Sequence, residues 1–287
     1  MLCHGFRAMG MQIELLLDTL RMASATAAFE AVAQEFARLE ALLSRFQAES
    51  ELSRLNRDGS IDAGPDLAAV VLLALAARER TGGRFDPTVH DAMIGAGYDR
   101  TFASMPGDVA RPVRAARCGG TVTVRSDGRI ELEPGTRIDL GGIGKGYAAE
   151  RAADLLARLG PALVDAAGGI ATRSGAWPVG VTTSDGPLTL LVQNGGLATS
   201  GSDRRRWLAA GAEAHHLIDP ATGRPAEGDL ERVTVVAADA VEAEVCAKAL
   251  FLTGAVAVAA AEADALGLPA VIVTRSGHTV LAGGISA

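Results

Sequence analysis

Apolar residues recur at helical spacing in five segments of the chain. In the first segment Leu39, Leu42, Leu43 and Phe46 lie on one face, and Ser24 is a plausible N-cap. These residue types at this spacing predict amphipathic helices, several of them ending at glycines or charged residues. The predicted helices cover approximately residues 24–46, 66–81, 147–159, 240–252 and 255–266.

Short runs rich in β-branched residues lie between the helical segments and are bounded by turn residues. They do not alternate regularly with the helices, which favours an α+β fold with mixed or antiparallel sheets over a doubly wound one. No internal repeat or linker interrupts the pattern, so we expect a single domain over residues 1–287. The predicted strands cover approximately residues 121–124, 130–132, 162–164, 178–182, 188–192, 233–237 and 270–274.

Composition excludes several functional classes. With 48% hydrophobic and 21% charged residues the chain has enough apolar material for a large core. Its net charge is −7 and it has no basic stripe, which argues against a nucleic-acid partner. The three cysteines lack metal-ligand spacing. We found neither an apolar run long enough for a membrane segment nor a signal-peptide pattern, so the expected location is cytoplasmic.

A glycine-rich turn at residues 141–146 leads into the third predicted helix. The turn does not match the Walker A pattern, because Asp139 stands where the first glycine is required. It does not match the Rossmann pattern either, because Tyr147 stands at the last small position. Small residues, a helix N-terminus and the charge of Lys145 suit a pyrophosphate. A purely structural strand-to-helix turn explains the same residues.

The second candidate segment is a histidine followed by a rigid turn. His216 stands three residues before Asp219, and Pro220, Thr222 and Gly223 complete the turn. A histidine held in this way can act as a general base near neutral pH. An ordinary exposed turn explains the segment equally well.

These segments and several others occur in an order that resembles one family, the FAD:protein FMN transferases, or ApbE-type flavin transferases. The likeness extends almost from end to end of the chain. The matching motifs are Ala8-Met9-Gly10, residues 50–56 (SELSRLN), residues 83–89 (GRFDPTV), residues 139–147 (DLGGIGKGY), Gly168-Gly169, residues 198–201 (ATSG) and residues 216–223 (HLIDPATG).

The resemblance implies an ApbE-like, T-fold-related α+β fold with an FAD cleft. It implies cleavage of FAD between its phosphates and transfer of FMN to a Thr or Ser hydroxyl of a partner protein, with release of AMP. His216 would be the catalytic base. The FAD-binding residues that it implies are Met9, Phe46, Lys145, Gly146, Thr199, Ser200 and Asp219. For Phe46 and Met9, a plain core role is the alternative.

The metal site that the resemblance implies is altered in this chain. The family binds Mg²⁺ through an Asp and a Thr four residues apart on a late helix, together with a backbone carbonyl at the position of Gly144. Here Glu244 and Lys248 occupy the two helix positions. Their spacing suits an ion pair, and an ammonium repels Mg²⁺. Lesser departures are Met11, in place of threonine, and Ile170 after the glycine pair.

Three interpretations of Glu244 and Lys248 stay open from the sequence. Lys248 replaces the metal as a point charge, the chemistry is weakened, or the pair is exposed and the metal binds elsewhere. The first function that we predict is FMN transfer. The alternatives are a non-catalytic FAD-binding protein and an FAD pyrophosphatase that gives FMN and AMP.

Overall fold

The structure, a computed structural model, describes residues 1–285 of the chain. By their internal contacts these residues form two compact units, each assembled from separate stretches of sequence. The first unit contains residues 1–38, 143–201 and those from Gly228 onward, and the second contains residues 39–142 and 202–227. The single domain over residues 1–287 stays a prediction.

Seven α-helices are present in the described part of the chain. Each of the five predicted segments forms a helix, and two short helices were not predicted. The helices are α1 (Met22–Leu43), α2 (Glu51–Asp58), α3 (Pro65–Arg80), α4 (His90–Gly95), α5 (Gly144–Ala157), α6 (Ala240–Phe251) and α7 (Val256–Leu266).

Eighteen strands are present in the same residues, and all seven predicted strands are among them. They are β1 (Leu2–Ala8), β2 (Met11–Leu17), β3 (Ser60–Asp62), β4 (Asp108–Val109), β5 (Val122–Val124), β6 (Arg129–Leu132), β7 (Ala162–Ala166), β8 (Gly169–Arg173), β9 (Trp177–Thr183), β10 (Gly186–Val192), β11 (Gly196–Gly201), β12 (Arg206–Ala209), β13 (Ala212–His215), β14 (Ile218–Asp219), β15 (Arg224–Pro225), β16 (Leu230–Ala237), β17 (Ala270–Thr274) and β18 (Thr279–Ala282).

The first unit is built on an eight-stranded sheet in the order β1-β2-β7-β8-β11-β16-β17-β18. Every neighbouring pair in this sheet is antiparallel. The small side chains of α5 and α6 pack against its central strands, and α7 packs against β17 and β18. An antiparallel sheet with helices packed against it confirms the α+β prediction.

A second apolar layer of the first unit involves the hairpin of β9 and β10. Trp177, Val179 and Val181 alternate along β9 with more exposed residues, so one face of the hairpin is apolar. They form a buried cluster with Leu163 and Ile170 of the large sheet. The strand predicted at residues 178–182 is therefore confirmed, and its alternate residues form a buried face.

The second unit contains three small sheets, in the orders β3-β6-β5, β13-β12-β4 and β14-β15. Its helices are α2, α3 and α4. A buried aromatic cluster includes Tyr98 and Trp207, and the Trp207 indole donates to the carbonyl of Ala96 at 2.9 Å. Ile218 belongs to the same cluster, which fixes the strand that follows His216.

The boundaries of two helices differ from the prediction. The first helix ends at Leu43 and not at Phe46, and Ser24 lies inside it instead of capping it. The third predicted helix begins at Gly144, three residues early, which places Lys145 and Gly146 in its first turn.

No helix within residues 1–285 combines the length and the apolar character needed to cross a bilayer.

Candidate functional site

The first group of site residues lies in the first turn of α5 and along α6, within the first unit. Lys145 Nζ donates to Glu244 Oε1, and the backbone N–H of Gly146 donates to Glu244 Oε2 at 2.9 Å. Glu244 is only 5% exposed, whereas Lys145 and Lys248 are half-buried. We call Lys145, Glu244 and Lys248 the lysine cluster. A carboxylate therefore already occupies part of the helix N-terminus that the sequence predicts for an anion.

Two neighbouring contacts fix the start of α6 and hence the position of Glu244. The Asp239 side chain caps the helix by accepting from the N–H of Glu242 at 2.7 Å. Glu150 of α5 accepts from the N–H of Ala240 at 2.7 Å, which joins the two helices. The carboxylate of Glu244 is thus held against the first turn of α5.

The charges around Glu244 determine its ionisation. Burial raises the pKa of Glu244, but the positive charges of Lys145 and Lys248, together with the Lys145 and Gly146 hydrogen bonds, outweigh burial. The pKa of the carboxyl is consequently lowered from its ordinary value. Glu244 is an anion at neutral pH, and its principal partners are cations of the chain.

The lysine cluster fits Mg²⁺ poorly. Both oxygens of Glu244 have donors from Lys145 and Gly146, and Lys248 offers an ammonium where an oxygen ligand is needed. Near a protein surface, two unit positive charges about 4 Å apart repel each other by about 4 kcal/mol. A divalent Mg²⁺ at that distance from the Lys248 ammonium would experience about twice this repulsion. Within residues 1–285 no group of three or more His, Cys, Asp or Glu side chains can hold a metal ion.

Gly146 is required by the close approach of the two helices. A Cβ at this position would lie 2.7 Å from the carbonyl oxygen of Ala240 and 3.0 Å from the Cα of Val241. Both are backbone atoms, which cannot rotate away. At Gly144, two residues earlier, a Cβ would meet nothing within 4 Å. Packing against α6 therefore explains the glycine of the Lys-Gly pair without a ligand.

Replacement of Gly146 by Ala is expected to lower the free energy of unfolding by about 1–3 kcal/mol, because the added methyl group overpacks the contact with α6. Gly144→Ala is the matched control, and we expect it to be neutral or to stabilise the protein by about 0.4–1 kcal/mol. Urea denaturation of both variants measures the difference. Equal stability of the two variants would contradict the close approach.

The ATSG motif forms residues 198–201 of β11 in the large sheet, and its two hydroxyl residues are adjacent on this strand. Successive side chains on a strand point to opposite faces. Thr199 is exposed and its hydroxyl lies 2.8 Å from that of Thr234, whereas Ser200 is 7% exposed. Of these two residues, Thr199 therefore presents its hydroxyl at an accessible surface, and FAD binding by Thr199 and Ser200 stays a prediction.

Met9 lies at the tip of the hairpin formed by β1 and β2. Met9 and Gly10 form the two-residue loop, and both have positive φ angles, of 51° and 71°. This is the geometry of a type I′ turn, which explains the glycine of the opening motif. Met9 is half-buried, and its contribution to FAD binding stays a prediction, with a core role as the alternative.

In the second unit, Phe46 lies against a buried ion pair. Arg45 Nε lies 2.7 Å from Asp139 Oδ2, and the two side chains are 5% and 8% exposed. The Arg45 guanidinium lies 4.2 Å from the centre of the Phe46 ring and 4.7 Å from that of Tyr98. Phe46 itself is 39% exposed. The core interpretation of Phe46 therefore fails, and a ring surface remains accessible for stacking.

The polar residues of the SELSRLN motif have structural roles that the sequence alone did not reveal. Ser50 caps α2 by accepting from the N–H of Ser53 at 2.9 Å. Asn56 donates to the carbonyl of Ile138 at 2.8 Å and accepts from the N–H of Ile138 at 2.8 Å. Asn56 thus fixes the backbone just before Asp139, whose Oδ1 accepts from the N–H of Gly141 at 2.8 Å.

The GRFDPTV motif is also internal to the second unit. Asp86 Oδ1 accepts from the backbone N–H of Thr88 at 2.8 Å and from the Thr88 hydroxyl at 2.7 Å. The Thr88 hydroxyl in turn accepts from the N–H of Gly119 at 2.7 Å. Both side chains are buried, which assigns this motif to folding.

The two adjacent histidines differ in environment. His215 is buried, and its Nδ1 accepts from the N–H of Leu217 at 3.3 Å. Its Nε2 must then carry the proton and donates to the carbonyl of Ala226 at 3.0 Å. His216 is half-buried. The structure therefore assigns the structural role to His215 and leaves His216 as the candidate base.

The turn after His216 is held by Asp219. Its backbone carbonyl accepts from the N–H of Gly223 at 2.8 Å, and its Oδ1 accepts from the N–H of Ala221 at 2.9 Å. Gly223 has a φ of 63°, and a Cβ there would lie 1.9 Å from the carbonyl oxygen of Ala116. The polar turn is a rigid support, as its residue types predict.

Comparison with known proteins decides the family. The family model described as the ApbE family matches residues 9–272. The chain belongs to the ApbE family. It is 31% identical over 261 residues to the FAD:protein FMN transferase of Treponema pallidum, covering 79% of this chain and 72% of that protein. It is 32% identical to the Salmonella typhimurium protein of the same name, covering 71% of this chain and 64% of that protein.

Solved structures confirm the ApbE fold. The ApbE protein of Thermotoga maritima superposes with a TM-score of 0.84 at 23% identity, covering 98% of this chain and 96% of that one. The flavinyl transferase ApbE of Pseudomonas stutzeri gives 0.80 at 19% identity, covering 98% and 94%. Fold and family were therefore predicted correctly from the ordered motifs. The roles of individual residues in this ApbE chain stay predictions.

Proposed function

We propose that this chain transfers FMN from FAD to a Thr or Ser hydroxyl of an acceptor protein and releases AMP. The observation that carries the proposal is the cationic site at the start of α5, where Lys145 and a helix N-terminus meet. Phosphoryl transfer depends mainly on positioning and on stabilisation of phosphate charge. Relatives named FAD:protein FMN transferases support the choice of FAD as the substrate.

The reaction in this proposal is a displacement at one phosphorus atom. The acceptor oxygen attacks the phosphorus of the FMN half, the bond from that phosphorus to the bridging oxygen breaks, and AMP leaves with that oxygen. His216 takes the proton of the attacking hydroxyl. Lys145 and the backbone around Gly146 stabilise the phosphate charge. The product is a phosphoester between FMN and the acceptor.

Other residues contribute to binding in the same proposal. The accessible ring of Phe46 stacks on an aromatic ring of FAD, and Met9 contributes apolar contact. Thr199 and Asp219 supply polar contacts to the nucleotide. Magnesium, which the resemblance implies at Gly144, Glu244 and Lys248, does not suit the donors present, so no step is assigned to it.

Incubation with FAD and a peptide carrying the acceptor Thr tests the proposal. The expected products are AMP and flavin-labelled peptide in equal amounts, measured by chromatography and mass spectrometry. AMP with free FMN would identify an FAD pyrophosphatase. FAD binding without AMP would identify a non-catalytic flavin-binding protein, the second candidate, which the altered Glu244 and Lys248 positions favour.

A further inference from the structure

Lysine is almost absent from this chain. It contains 25 arginines but only two lysines, Lys145 and Lys248. Although they are far apart in sequence, both lysines lie beside one carboxylate, because Lys145 contacts Glu244 and Lys248 follows Glu244 by four residues on α6. Arginine serves at every other basic position. An ammonium differs from a guanidinium in being a compact point charge, which is the property that a small bound cation also has.

The net charge of the lysine cluster leaves it able to bind an anion. Two ammonium groups and one carboxylate sum to a single positive charge. Lys145 contacts Glu244 directly, and Lys248 follows Glu244 by one helical turn on α6. Lys145 and Lys248 are both half-buried, so water screens the cluster less than it screens surface charges. A phosphate group near these ammoniums would gain two strong donors.

We propose that Lys145 and Lys248 form a metal-independent binding site for the pyrophosphate of FAD, in which the Lys248 ammonium occupies the role of a metal ion. Because it rests on the proposed function, this inference extends the same site. In this site Glu244 is a counter-ion of the lysines and not a metal ligand. It neutralises one ammonium and holds Lys145 against the first turn of α5. A metal ion would have to displace Lys145 from Glu244 and lie beside Lys248.

Titration of the intact protein with FAD, in EDTA and with excess MgCl₂, tests metal independence directly. The expected dissociation constants agree within about twofold in the two buffers.

Lys248→Met, which keeps the length of the side chain and removes its charge, is expected to weaken FAD binding by about tenfold or more in both buffers. Arg158→Met, at the opposite end of α5 and exposed, is the matched control and should bind as the unmodified protein does. If Mg²⁺ tightens FAD binding by the unmodified protein by about tenfold, the inference is overturned.

Glu244→Gln is expected to change ligand affinity in opposite directions, depending on whether Glu244 is a counter-ion of the lysines or a metal ligand. If Glu244 is a counter-ion, its neutralisation raises the positive charge of the cluster, and FAD or inorganic pyrophosphate binds as tightly or more tightly in EDTA. If Glu244 is a metal ligand, the same change weakens binding in Mg²⁺. Glu242→Gln, on the same helix and equal in charge change, controls for net charge. Weaker binding of the Glu244 variant alone would contradict the counter-ion role.

Amine labelling provides a readout that does not depend on turnover. Since the chain has two lysines, mass spectrometry after limited acetylation reports Lys145, Lys248 and the N-terminal amine separately. Saturating FAD in EDTA is expected to protect both lysines and to leave the N-terminus unchanged. An unchanged labelling rate at Lys248 would overturn the inference. Failure of FAD to bind in either buffer contradicts the proposed function itself, whereas binding that requires Mg²⁺ contradicts only the metal-free site.

Discussion

Replacement of His216 by Asn is expected to lower the rate of FMN transfer by about 100- to 10,000-fold, the usual contribution of a positioned general base. FAD affinity should change by less than about twofold, because the proposed role of His216 begins only when the acceptor hydroxyl is present. The acidic limb of the pH–rate profile should also disappear, since it reports protonation of the base. Single-turnover measurements with a fixed acceptor peptide give all three quantities.

The adjacent histidine supplies the control for this experiment. His215 is fixed between two backbone groups, the carbonyl of Ala226 and the N–H of Leu217. His215→Asn is therefore expected to lower thermal stability and to keep most of the transfer rate of the folded protein. If the two substitutions reduce the rate equally, or if His216→Asn abolishes FAD binding, the assignment of the base is wrong.

Replacement of Arg45 by Met is expected to reduce the free energy of unfolding by about 3–5 kcal/mol, because it leaves the Asp139 carboxylate buried without its cation. The contact of the guanidinium with Phe46 is lost at the same time. Chemical denaturation measures the loss. Arg57→Met, which breaks an exposed pair with Asp58, should leave the midpoint unchanged.

Adding Asp139→Asn to Arg45→Met separates the cost of the unpaired Asp139 charge from the cost of the packing contacts that Arg45 loses. Asn at position 139 keeps an oxygen for the N–H of Gly141 but carries no charge. The variant Arg45→Met with Asp139→Asn should therefore recover part of the stability that Arg45→Met loses. A double variant that is as unstable as the sum of both single variants would show that the two side chains do not interact.

The sequence predicted the elements better than it predicted their ends. Periodicity found the five long helices, but it extended the first one to Phe46. Arg45 instead turns inward to pair with Asp139, a contact between residues far apart in the chain. The short helix α2 was not predicted, because its sequence is strongly polar and it depends on the Ser50 cap. Local patterns cannot show contacts made by the folded chain.

The same limit applies to the candidate site. Spacing along α6 indicated Lys248 as a partner for Glu244, but it could not indicate Lys145, which precedes Glu244 by 99 residues. The ordered motifs predicted which segments matter, and the structure divides them by role. Asn56, Asp86 and Thr88 support the backbone, whereas Phe46, Thr199 and His216 keep accessible surface. A motif match alone does not separate these two roles.

In the proposed reaction the chain cleaves FAD and attaches the FMN half to a protein hydroxyl. The most direct measurement is the mass of an acceptor peptide after incubation with FAD, with AMP quantified in the same sample. We predict a peptide that has gained one FMN phosphoester for each AMP released, and no gain when the acceptor Thr is replaced by Ala. AMP release without a change in peptide mass would contradict the transfer.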